Sequence, residues 1–171
     1  MEKLTGLKKI KTAVFISGTG SNLKNIIKFS KIKKSPISID LIVSNTSKAK
    51  GLSFANQFKI KKKIFNFTNF KNTEKNILLL LKKKEIKFIC LAGFMKILSK
   101  DFIKKFDGKI INIHPSLLPK YKGLNTHSRA IKNKDKFAGC TVHHVAAKLD
   151  SGKIILQKKI KITANDNPTS L

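Results

Sequence analysis

Short apolar runs alternate along this chain with segments that carry apolar side chains at helical spacing, and that alternation leaves few folds open. Residues 11–17 form an apolar run ending in Gly18-Thr19-Gly20-Ser21-Asn22, and 23–33 follow with Leu23, Ile26, Ile27 and Phe29 spaced as on one helix face. The strand pattern recurs at 37–43, 88–91, 109–113, 139–145 and 153–162, with a short candidate at 64–67. Helices are predicted over 49–58, over 100–106 behind a Ser99 cap, over 126–133, and from a cap at Asn72 or Thr73 through 78–81 to Glu85. Strands separated by helices predict parallel βαβ units in a doubly wound, mostly parallel α/β sheet with helices on both faces. With no internal repeat, linker or low-complexity tract, the whole of 1–171 is predicted to be one domain.

Charge is the other conspicuous property. The 171 residues hold 37 basic and 9 acidic side chains, a formal net charge of +28. Polyanion binding is the obvious inference, because phosphate neutralisation dominates nucleic-acid affinity. The composition weakens it: 36 of the basic residues are Lys and only Arg129 is Arg, whereas phosphate and base readers favour the planar guanidinium. The lysines are spread over every segment and accompany 23 Ile, the pattern expected of an A+T-rich genome. No specific nucleic-acid partner is therefore expected. The apolar stretch after the basic first twelve residues covers only Ala13 to Ile16, too short for a signal-peptide core, so a cytoplasmic location with no membrane span is expected. Two cysteines, Cys90 and Cys140, are read as reduced thiols.

Ligands of doubly wound sheets sit beyond the carboxyl ends of the strands, so the polar residues at those ends are the candidates. In 17–22, glycines admit close backbone approach and a helix N-terminus offers free N–H groups, which suits a phosphate; a plain glycine turn with a helix cap fits the local pattern equally well. In Asn112-Ile113-His114, positions i and i+2 of a strand share a face, so an amide donor suited to an oxyanion and a proton-shuttling imidazole project together. A structural histidine beside a capping asparagine is the plainer alternative. In Leu149-Asp150-Ser151-Gly152, the carboxylate can accept a proton or hold an imidazolium, although Asp-x-Gly is also an ordinary Asx turn. His143 and His144 are adjacent in a strand and face opposite sides, so only one of them can join His114. No His/Cys/acid spacing points to a metal.

Taken together, FISGTGSNL, LAGFMKILS, INIHPSLLPKYKGLNTH and GCTVHHVAAKLDSGKIILQ resemble the phosphoribosylglycinamide formyltransferase family, in order and at the family's separations, from about Lys11 to Ser170. The resemblance implies a Rossmann-like fold and transfer of a formyl group from 10-formyltetrahydrofolate to the amine of glycinamide ribonucleotide, with no metal, by a monomer or homodimer. It implies that Gly20, Ser21 and Asn22 hold the ribonucleotide phosphate and that Asn112, His114 and Asp150 are catalytic. Met95, Lys96, Ile97 and Leu98, with Asn112, would line the folate pocket, and His143 would support it. A folate-contacting Arg of the family is replaced by Thr73, with Lys71 or Lys75 as substitutes. Lys122 and Asn125 stand where the family more often has Pro and His. The family continues past 168–171 into a C-terminal helix and strand, so the chain is expected to be truncated. The competing readings are a formyltransferase acting on a sugar-nucleotide amine, and a basic RNA-binding module without catalysis.

Overall fold

The first strand, β1 (Ile10–Ile16), is buried over its last five positions and fixes the arrangement of its neighbours. The structure, a computed structural model, describes residues 8–171. The backbone divides into two compact units, one ending at Lys109 and the other running from Ile110 to Leu171.

In the first unit β1 pairs in parallel with β2 (Ile37–Ser44) on one side and with β4 (Phe88–Leu91) on the other, and β3 (Lys62–Ile64) lies outside β2. The order is β3-β2-β1-β4, so the chain winds outward to β3 and then returns to the far side of β1. That reversal creates a switch point between β1 and β4, where the loops at the two carboxyl ends diverge. Helices α1 (Ser21–Ser30), α2 (Leu52–Gln57), α3 (Phe70–Lys83) and α4 (Lys100–Lys105) connect the strands. Val14, Phe15, Ile16, Leu23, Ile27, Ile42, Ile77, Leu81 and Ile89 are fully enclosed or nearly so, as both-face coverage of a parallel sheet requires.

Two local expectations are corrected. The strand expected at 64–67 is instead Lys62–Ile64, because its pairing partners are Ile42, Val43 and Ser44 at the end of β2. The third helix starts earlier than expected: Asn69, not Asn72 or Thr73, is its N-cap, and its side chain accepts from the Asn72 amide at 3.2 Å. Ser99 caps α4 as expected, accepting from the Phe102 amide. It is itself held by the buried Glu74 of α3, which accepts from both its backbone N–H and its hydroxyl.

In the second unit β5 (Lys109–His114), β6 (Phe137–His144) and β7 (Ile154–Lys161) form an antiparallel set, with α5 (Thr126–Lys132) between β5 and β6. The parallel pattern predicted from strand–helix alternation therefore holds for the pairs within the first unit and gives way to antiparallel pairing in the second. The last strand is also less buried than its apolar sequence suggests: all eight residues of β7 are exposed.

Candidate active site

The β5–β6 register builds the centre of the site. Asn112 lies opposite His143 and His114 opposite Thr141, which turns Asn112, His114 and His143 to one face. Asp150 arrives from the turn between β6 and β7 with φ 43°, in the left-handed region that a short polar residue tolerates. Its carboxylate is 7% exposed and is the hub: Oδ2 lies 3.3 Å from His114 Nδ1 and accepts from the Gly123 amide at 2.9 Å, while Oδ1 lies 3.7 Å from His143 Nε2. The structure thus gathers Asn112, His114, His143 and Asp150 into one cluster within the second unit.

Hydrogen-bond chemistry assigns the ring protons. His114 Nε2 faces the Tyr121 carbonyl at 2.9 Å, an acceptor only, so Nε2 carries hydrogen and donates to it. The nitrogen beside Asp150 is therefore the one left to exchange a proton, and it forms an ion pair with the carboxylate when the ring holds both protons. His143 has the opposite arrangement. Its Nδ1 donates to the His144 carbonyl at 2.9 Å, and its Nε2 is the acceptor for Asn112 Nδ2 at 3.1 Å. This fixes the amide orientation of Asn112 and leaves its second N–H for a ligand. Only His143 of the adjacent pair joins the cluster, as strand alternation requires.

Parts of the surrounding frame carried no sequence signal. Thr141, fully buried, donates to the Ser116 carbonyl and accepts from the Leu118 amide and from Gln157 Nε2, so it ties the loop after β5 to β6 and β7. Tyr121 and Gly123 contribute only backbone atoms to the cluster, and a backbone contribution leaves no residue-type pattern to read. Among the described residues no buried side-chain nitrogen or oxygen lacks a partner, and no group of three potential metal ligands is present.

The other candidates lie at the switch point of the first unit. Gly20 caps α1 with φ 81°, and a Cβ there would fall 2.6 Å from the Cα of Gly51. Both the left-handed backbone and the glycine-on-glycine contact demand glycine. No side chain caps α1, so the amides of Ser21 and Asn22 head the helix without an internal substitute for an anion. Ser17, the first residue of the 17–22 candidate, accepts from the Met95 amide at 2.8 Å and donates to Asn45, which joins the loops after β1, β2 and β4. Met95, Lys96 and Ile97 are exposed, whereas Leu98 is buried and serves the core. Thr73 is buried as well, its hydroxyl donating to the Asn66 carbonyl at 2.6 Å, so it offers no donor in place of the guanidinium it was aligned with. Cys90 is a core residue of β4, and burial alone pushes its thiol up to about 12, away from the reactive thiolate.

A parallel switch-point sheet and an Asn–His–Asp cluster at strand ends define a class, and a formyl transferase family model matches residues 10–171: the chain belongs to the formyl transferase family. Within it, the chain is 44% identical over 160 residues to the phosphoribosylglycinamide formyltransferase of Haemophilus influenzae, covering 92% of this chain and 76% of that one. It is 42% identical over 167 residues to the human trifunctional purine biosynthetic protein adenosine-3, covering 96% of this chain but 16% of that protein. The chain thus spans only about a sixth of the trifunctional relatives. The crystal structure of phosphoribosylglycinamide formyltransferase from Brucella melitensis superposes with a TM-score of 0.90 at 37% identity, over 95% of this chain and 85% of that one. The enzyme of the same name from Anaplasma phagocytophilum gives 0.88 at 38%, over 95% and 77%. The fold is that of the formyltransferases, and no helix among the described residues is long and apolar enough to cross a membrane.

Proposed function

We propose that this chain transfers the formyl group of 10-formyltetrahydrofolate to the primary amine of glycinamide ribonucleotide. The observation that carries the reading is the Asp150 carboxylate, set between His114 Nδ1 and His143 Nε2 beside the Asn112 amide. The amine nitrogen attacks the formyl carbon, and the carbonyl electron pair moves onto oxygen. Asn112 donates its free Nδ2–H to that oxyanion, and the positive charge of the doubly protonated His114 ring, held by Asp150, stabilises it electrostatically, in the manner of preorganised groups aimed at developing charge. Asp150 takes the proton released by the attacking nitrogen, directly or through a water. Collapse of the tetrahedral intermediate breaks the bond to the folate nitrogen, which leaves as a protonated amine with a proton relayed by His114. Gly20, Ser21 and Asn22 would bind the ribonucleotide phosphate through helix-terminal amides. Met95, Lys96 and Ile97 would contribute to the folate pocket.

The test is substrate choice. Purified protein incubated with 10-formyltetrahydrofolate is expected to formylate glycinamide ribonucleotide, detected as the N-formyl product by mass spectrometry. Preference for an amino-sugar nucleotide would replace this reading with the sugar-nucleotide one. Absence of any folate-dependent transfer would overturn both.

A further inference from the structure

We propose that Arg129 is a positioning residue for His114, holding the 121–124 segment so that the Tyr121 carbonyl keeps the ring's Nε2 proton and Nδ1 stays the working nitrogen. The inference rests on the role given to His114 above. One short segment serves both members of the central pair: the Tyr121 carbonyl accepts from His114, and the Gly123 amide donates to Asp150. Tyr121 sits at φ 55°, and a non-glycine residue in the left-handed region needs outside support, whereas Gly123 adopts its φ of 79° at no cost.

Arg129, on the second turn of α5, supplies that support from several directions at once. Its Nη1 donates to the Lys122 carbonyl at 2.7 Å and, more weakly, to the Leu124 carbonyl at 3.4 Å. Its guanidinium lies 5.0 Å from the centroid of the Tyr121 ring, within cation–π range. Asn133, the C-cap of the same helix, donates to the Tyr121 hydroxyl at 2.9 Å and fixes the far end of that ring. A planar guanidinium can serve a carbonyl and a ring face together, whereas an ammonium is a point charge on a flexible stem. Elsewhere this chain meets its need for positive charge with Lys, 36 times, and its single Arg stands at this clamp.

The experiment compares wild type with Arg129→Lys and Arg129→Ala by two readouts. Because Arg129 is exposed, the expected loss is moderate: kcat falls about 3- to 10-fold in R129K, with KM for both substrates nearly unchanged. In R129A, millimolar guanidinium is expected to restore part of the rate, which a purely structural loss would not allow. Independently of turnover, 15N NMR is expected to show the His114 Nε2–H signal exchanging faster with solvent in both variants. Wild-type kcat together with an unchanged His114 signal in R129K would overturn the proposal. Should wild type itself transfer no formyl group, the proposed function fails while the NMR comparison still decides the role of Arg129.

Discussion

Asp150→Asn is expected to lower kcat for formyl transfer by about 10²–10⁴, with the affinity for each substrate largely retained. The substitution preserves size and leaves an oxygen that can still accept from the Gly123 amide, so the turn keeps its shape. What it removes is charge. The neutral amide cannot balance an imidazolium at the 3.3 Å separation from His114 Nδ1, and it cannot take the proton released by the attacking amine. Because the carboxylate is almost wholly enclosed, bulk water substitutes for it poorly. Steady-state kinetics with both substrates varied, beside thermal unfolding of the same preparations, is the check. A loss confined to KM would move Asp150 from proton transfer to ligand binding.

The second large effect is steric. Gly152→Ala would place a Cβ 1.7 Å from the His144 carbonyl oxygen and 2.7 Å from its carbon, so the backbone must move. That carbonyl accepts from His143 Nδ1, and the His144 amide donates to the Lys153 carbonyl across the β6–β7 hairpin. Displacing it disturbs the tautomer of His143, the hairpin register and the turn that carries Asp150 together. Overpacking of this kind typically costs about 1–3 kcal/mol, and here the clash is with backbone, which puts the expected loss at or above the upper end. Urea unfolding should show a lower midpoint for G152A at an unchanged m-value, and formyl transfer should fall even at temperatures where the variant is folded. A variant with wild-type midpoint and rate would mean the hairpin tolerates the shift.

The sequence made the chemistry of the centre legible because the side chains concerned are short-range neighbours in strands. Asn112 and His114 share a face by simple alternation, and His143 excludes His144 by the same rule. Asp150 stood out as a rare acid in a glycine turn, although nothing in its local pattern ranked it above an ordinary Asx turn. The cluster becomes specific only through the β5–β6 register, which sets Asn112 against His143. Tyr121, Gly123 and Gly51 were illegible for a different reason: each acts through backbone atoms or through the absence of a side chain. Element boundaries followed similar lines. The Asn69 cap was missed because Asn72 and Thr73, also good cap residues, lay nearer the apolar run, and β3 shifted because pairing with the end of β2, not local hydrophobicity, decides where it begins. The antiparallel β5–β6–β7 arrangement was obscured by the helix-like segment between β5 and β6, which mimics a βαβ crossover. Thr73 shows why the family's guanidinium has no direct successor at that position: its buried hydroxyl is already given to the Asn66 carbonyl.

The central claim is that the Asn112–His114–Asp150 cluster carries the formyl transfer, and His114→Ala tests it most directly. With 10-formyltetrahydrofolate and glycinamide ribonucleotide both saturating, single-turnover transfer by H114A is expected to fall by about 10²–10³ or more while both substrates still bind. Transfer at the wild-type rate by a folded H114A protein would contradict the account.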